Sequence, residues 1–156
     1  MARHGAVVSW TLREGDDFAA GAYSRAHSLA FDGGAVVAGS SSPSVVPQWS
    51  DAAAVDPEEL LIASLSSCHM LWFLDLARRD GWVVESYLDA AEGVMGKIDG
   101  KTALAKVILK PKLIFRGETP TNERIATLHH RAHELCFIAN SVKAEVTVDL
   151  PQEAVA

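Results

Sequence analysis

Two cysteines, Cys68 and Cys136, are the residues of this chain whose chemistry most needs an explanation. A thiolate is a nucleophile and a metal ligand, whereas a thiol sealed among apolar side chains is inert. Cys68 has Leu61, Leu65, Trp72 and Leu76 one and two turns away on an expected helix, so it can be a small core filler. A reactive Cys68 needs a cation brought from elsewhere in the chain. Arg25, set between Tyr23 and His27 amid the apolar alternation of an expected strand, is the candidate, though it reads equally well as a strand-surface charge. Cys136 closes a segment in which His129, His133 and Cys136 fall at i, i+4 and i+7 and so share one helical face. That spacing suits zinc, but a zinc site needs a fourth ligand or a water, and no second Cys-x-x-Cys cluster supplies it. Histidines near a helix C-terminus also suit the dipole there. His69 points about 100° away from Cys68 around the helix, a poor direction for a base. Glu58 is an acid in a helical first turn, where acids are expected. It lies roughly 15 Å along the axis from Cys68, too far to touch it on an unbroken helix, but an antiparallel partner helix could bring the partner's Glu58 to this thiol.

The elements that must hold these residues are readable from pattern. Alternating apolar residues mark strands over 6–12, 23–31 and 35–38, with a turn at 14–17 and a hairpin at Asp32-Gly33-Gly34 of the type I′ kind that Asp-Gly favours. Residues 39–55, rich in Ser, Pro and Ala, form a loop long enough to suggest a job or a partner. Asp56-Pro57-Glu58-Glu59 then opens the clearest helix: Asp56 caps, Pro57 fits the first position, Glu59 completes a capping box. Arg78, Arg79 and Gly81 end it near Asp80. Its apolar residues cover most of the circumference, the mark of a buried central helix. Two long strands follow over 83–97 and 102–115, joined at Ile98-Asp99-Gly100, with Pro111 suggesting an edge or bulge. A second helix from Thr119-Pro120 to about Cys136 and a closing strand over 143–150 complete an α+β pattern of antiparallel sheet packed on helices. So few strands can hardly cover an all-round apolar helix, which favours an oligomer.

At 156 residues, with 49% hydrophobic and 22% charged, the chain has one domain's worth of sequence and can build a core without disulfide staples or a structural metal. Fourteen Lys and Arg against 20 Asp and Glu, a net charge of −6 and no basic cluster speak against nucleic acid as a partner. No apolar run approaches 18 residues, and residues 1–12 lack the charged-then-apolar order of a signal peptide. The expectation is a single cytoplasmic domain over 1–156, off the membrane, whose two cysteines are functional or simply buried.

The segment from Asp56-Pro57-Glu58-Glu59-Leu60 to Cys68 resembles the Asn-Pro-Glu-Glu/Gln-Leu…Cys opening of the central helix in the OsmC/Ohr family, the osmotically inducible and organic-hydroperoxide-resistance proteins. Cys136 with Asn140 and Ser141 is similar to that family's later Cys-Pro-x-Ser motif, and the order of elements fits along essentially the whole chain. The resemblance implies an OsmC-like fold, an intertwined homodimer, and a thiol peroxidase that reduces organic hydroperoxides with no metal or organic cofactor. It puts the peroxidatic cysteine on Cys68, the resolving cysteine on Cys136, and the Asn-Pro-Glu glutamate on Glu58. The arginine that holds the thiolate falls on Arg25, with Arg13 as the fallback. An external dithiol, lipoyl or thioredoxin-like, is the implied reductant. The chain departs from the pattern at Asp56 for Asn, at Phe137 for Pro, and over Ser66 to Met70, where the family is more apolar; the last two change the walls of the site. A ligand-binding or stress-related relative with little turnover is the alternative.

Overall fold

The structure, a computed structural model, describes residues 2–150. Contacts divide the chain into two compact units, one up to Leu60 and one from Leu61 onward.

The first unit is a three-stranded antiparallel sheet of β1 (Ala6–Ser9), β2 (His27–Phe31) and β3 (Val36–Gly39), in that order. β1 and β2 are shorter than their alternation suggests, while β3 has the expected length one residue later. Residues 23–26 are not strand, because Gly21 turns the chain with φ +75° and the Arg25 N–H donates to Trp49 O instead of to a neighbouring strand. The hairpin at Asp32 forms, but not as type I′: only Gly34 has positive φ (+88°), giving a three-residue loop with Gly34 N–H bonded to Phe31 O. Type I′ geometry occurs instead at Asp99-Gly100, with φ of 51° and 77°. The Ser-rich stretch after β3 is ordered by its own side chains. Buried Ser40 accepts the Asp51 N–H, and the hydroxyls of Ser41 and Ser50 meet at 2.7 Å.

Helix α1 (Pro57–Arg79) starts and stops for the reasons its sequence gives. The Asp56 carboxylate accepts the Glu59 N–H at 2.7 Å while the Glu59 carboxylate accepts the Asp56 N–H at 3.0 Å, a reciprocal capping box. At the other end Gly81 takes φ +87°, its N–H bonds to Arg78 O, and Trp82 N–H reaches back to Ala77 O, a Schellman stop. By length and composition α1 could cross a membrane, but it is a core helix: Leu65, His69, Phe73, Leu76 and Ala77 recur on one buried face.

The two long strands expected after α1 are each broken. They form β4 (Val84–Asp89), β5 (Glu92–Ile98), β6 (Lys101–Leu109) and β7 (Pro111–Phe115), so that β4 pairs with β7 while β5 pairs with β6. The break has a chemical cause. Pro111 has no N–H to give a ladder, and the side chain of Asp89, the last residue of β4 and paired with Pro111, accepts the Lys110 N–H at 2.6 Å and the Ser66 hydroxyl. Helix α2 (Asn122–Leu135), capped by the Thr121 hydroxyl on Arg124 N–H, leads through a short 3₁₀ turn (Ala139–Ser141) to β8 (Glu145–Val148). β8 lies parallel to β6, the one parallel pair in sheets that are otherwise antiparallel. Two apolar clusters anchor this unit. Phe73, Leu76 and Ala77 of α1 pack on Leu128 and Ala132 of α2, and Leu65 packs on Val107 and Leu109 of β6.

Asp56→Ala removes one half of the capping box and should cost about 1 kcal/mol of stability. Chemical denaturation should show an earlier midpoint with an unchanged slope, and an unchanged midpoint would mean that the cap contributes nothing.

Candidate functional site

The buried stripe of α1 decides where Cys68 points. Leu65, His69, Phe73 and Leu76 face inward, so Cys68 is rotated toward the edge of that stripe and is half-buried. It opens on a cleft of about 580 Å³ walled by Leu71, Trp72, Phe137 and Ile138, with Ser64 and Ser67 on the helix side. Trp72 and Phe137 meet edge to face with ring centroids 5.6 Å apart. Asp75 also lines the cleft, but its carboxylate is bonded to Arg78 at 2.9 Å and Arg79 at 2.6 Å, and those guanidiniums hold it below the usual carboxylate range.

Cys136 is the C-cap of α2. Its N–H bonds to His133 O, its φ and ψ of −66° and 109° are extended, and its Sγ accepts the Ala139 N–H at 3.4 Å. It is 1% exposed, and burial pushes its thiol up to about 11 despite the Ala139 bond; the neighbouring Cys68 thiol pushes the same way. Both thiols are free. The fold therefore brings together two cysteines far apart in sequence, one facing a cleft and one shielded behind it.

Arg25 and Glu58 belong to the first unit. The Arg25 guanidinium lies 3.4 Å from the centroid of the Tyr23 ring and donates to Tyr23 O at 2.7 Å and Gly21 O at 3.3 Å. Trp10, Phe18 and Tyr23 form an aromatic cluster around it, with Phe18 and Tyr23 stacked at 4.7 Å. Arg13 is exposed in the turn before it, and Glu58 is half-exposed in the first turn of α1.

The histidine face of α2 resolves differently from a ligand set. His129 pairs with His69: His129 Nδ1 and His69 Nε2 are 2.9 Å apart, and the rings lie within 8° of parallel. Among the described residues no three His, Cys, Asp or Glu side chains converge to hold a metal ion. Both imidazoles are buried, at 1% and 2% exposure, and His129 also stacks on Phe73 at 4.2 Å. Burial lowers His69 to about 4, aided by His133 and opposed by Asp89; burial and then His69 lower His129 to about 3. This pair is the feature that reading Cys68 and its neighbours one at a time passes over. The signal was present, since His69 falls midway between Leu65 and Phe73 on the core stripe.

A model of the OsmC-like protein family matches residues 50–151. The chain is 47% identical to an OsmC-like protein of unknown function from Vibrio cholerae, over 97% of this chain and 100% of that one, at a TM-score of 0.94. An organic hydroperoxide resistance protein from Elizabethkingia anophelis superposes at 0.69 with 20% identity, over 96% of this chain and 94% of that one. One from Legionella pneumophila superposes at 0.62 with 17% identity, over 96% and 97%. At those identities the likeness speaks for the fold. No match was found among curated proteins.

The buried pair sets a pH dependence of stability. Folded values near 4 and 3 lie below the unfolded 6.5, so between about pH 6.5 and 4 the unfolded chain binds protons that the folded chain refuses. Stability then falls as pH falls, by up to ~1.4 kcal/mol per pH unit for each imidazole. Denaturation at pH 7, 6 and 5 should show that decline, and it should flatten in a variant with both histidines replaced by leucine.

Proposed function

The chain belongs to the OsmC-like protein family, and from that premise we propose that it is a thiol-dependent peroxidase that reduces organic hydroperoxides. The observation that carries this reading is the asymmetric thiol pair: Cys68 faces an apolar cleft while Cys136, sealed and protonated, waits beside it. The Cys68 thiolate attacks the outer peroxidic oxygen. The O–O bond breaks, the alkoxide takes a proton and leaves as alcohol, and Cys68 becomes a sulfenic acid. Cys136 then attacks the Cys68 sulfur, water leaves, and a disulfide forms. An external dithiol, lipoyl or thioredoxin-like, reduces it and is itself oxidised to a disulfide. No metal or organic cofactor enters these steps. In a reducing cytoplasm both thiols stay free between turnovers.

The cleft supports an organic substrate over hydrogen peroxide, because Leu71, Trp72 and Phe137 offer apolar contact and Asp75 is already neutralised by two arginines. The working unit in this reading is an intertwined homodimer. Leu71, 61% exposed, and Phe137, 69% exposed, are large apolar side chains that a partner would help to cover. In this reading Arg25 is the cation that stabilises the Cys68 thiolate, in concert with Glu58; within the first unit its flat guanidinium is held on Tyr23.

Stoichiometric cumene hydroperoxide should consume both thiols of each chain and yield a Cys68–Cys136 disulfide, faster than hydrogen peroxide does. Cys68→Ser should abolish the loss, and Cys136→Ser should leave a sulfenic acid that dimedone traps. Retention of both thiols by the wild type would favour a binding protein without turnover.

Arg25→Ala should slow the peroxide step about 100-fold or more, in keeping with the loss of a charge-stabilising donor. An unchanged rate constant by stopped flow would pass the role to Arg13.

A further inference from the structure

We propose that the buried His69–His129 hydrogen bond is a positioning device for the two thiols: it fixes α1 against α2 and thereby sets the effective concentration of Cys136 at Cys68. The inference rests on reading those cysteines as a redox pair. His69 directly follows Cys68 on α1, and His129 lies on the same face of α2 as Cys136, two turns before it. The bond therefore ties together the two helices that carry the sulfurs, next to one of them.

Apolar packing alone is a weak guide to register. Phe73, Leu76, Leu128 and Ala132 attract without direction, and such contacts tolerate small rotations of one helix on another. Turning a helix by ~20° moves atoms at its side-chain rim by about 2 Å. Misplacement of about 1 Å can cost about 100-fold in an intramolecular reaction. An N–H···N bond of 2.9 Å between nearly parallel rings allows no such rotation.

The pair is also an expensive way to fill a core. Among the described residues the outer nitrogens, His69 Nδ1 and His129 Nε2, have no hydrogen-bond partner, and the nearby Tyr87 hydroxyl and His133 Nδ1 have none either. Asp89, the carboxylate felt by His69, is committed to the Ser66 hydroxyl and the Lys110 N–H. Two leucines would fill this volume without orphaned polar atoms. A stability cost at the seam beside a reactive pair is what a positional requirement would leave behind.

Equilibration with reduced and oxidised glutathione measures the effective concentration directly. Protein dithiol and oxidised glutathione give protein disulfide and two reduced glutathiones, with no peroxide involved. H69L/H129L should stay folded, with a melting temperature at neutral pH no lower than wild type, yet its effective concentration should fall roughly tenfold or more. H129N, whose amide sits where Nδ1 was, should restore it to within about threefold of wild type; H129Q, whose amide sits at the Nε2 position, should not. Should H69L/H129L fold poorly, the contrast between H129N and H129Q decides. Equal effective concentrations in those two, or an unchanged value in folded H69L/H129L, would overturn the proposal. With cumene hydroperoxide, sulfenic acid formation should keep its rate in H129Q while disulfide formation slows. A wild type inert to peroxide would sink the peroxidase reading and leave the glutathione result standing.

Discussion

The placement of both thiols depends on one packing constraint: α1 must bury the stripe Leu65, His69, Phe73, Leu76 and Ala77 against the second helix and the β6 face. Each large apolar side chain fully removed from water contributes roughly 1.5–3 kcal/mol. Exposed ion pairs such as Arg116 with Glu85 or Lys143 with Asp99 contribute at most about 1 kcal/mol each. The apolar stripe therefore sets which side of α1 faces inward, leaving small rotations open, and that choice turns Cys68 to the cleft. The same seam holds the C-terminal end of α2 in place, where Cys136 caps the helix.

The constraint also separates the two thiols by environment. Cys68, half-buried, can meet a molecule entering from solvent, whereas Cys136 is 1% exposed and burial keeps its proton on to about pH 11. A sealed, protonated thiol is a poor first nucleophile and is spared side reactions with oxidants in bulk solution. Beside an electrophilic sulfur the disadvantage shrinks, because proximity replaces collision. Position in the fold, not residue type, sets the two thiols apart.

Much of this is legible in the sequence, wherever the information is local. The Asp56–Glu59 cap and the Gly81 stop bound α1 because both depend on residues within a turn of each other. Asp99-Gly100 makes its hairpin for the same reason. What could not be read depends on distant partners. The strand expected around Arg25 gives way because Trp49 O takes the Arg25 N–H. The long strands break because Asp89 binds Lys110 and Ser66 across the fold. β8 chooses a parallel neighbour, which its own alternation cannot announce. The histidine spacing on α2 defines one face, but spacing does not reveal that His69 lies opposite.

The helix end also explains which thiol can move. Cys68 is held in the middle of a 23-residue helix, where shifting it means breaking hydrogen bonds on both sides. Cys136 already has extended φ and ψ and hands the chain to a short 3₁₀ turn tied down by Asn140 to Glu134 O and by Ser141 to Phe137 O. Small changes at that junction can swing Cys136 Sγ, at the loss of the single Ala139 bond, without unwinding α2. In the peroxidase reading proposed above, motion of the buried thiol toward the fixed one is thus the cheaper path to a disulfide. Phe137 goes with it, because it is the next residue in the chain and stands against Trp72 on the cleft wall. One backbone junction thus carries both the buried thiol and a wall of the cleft.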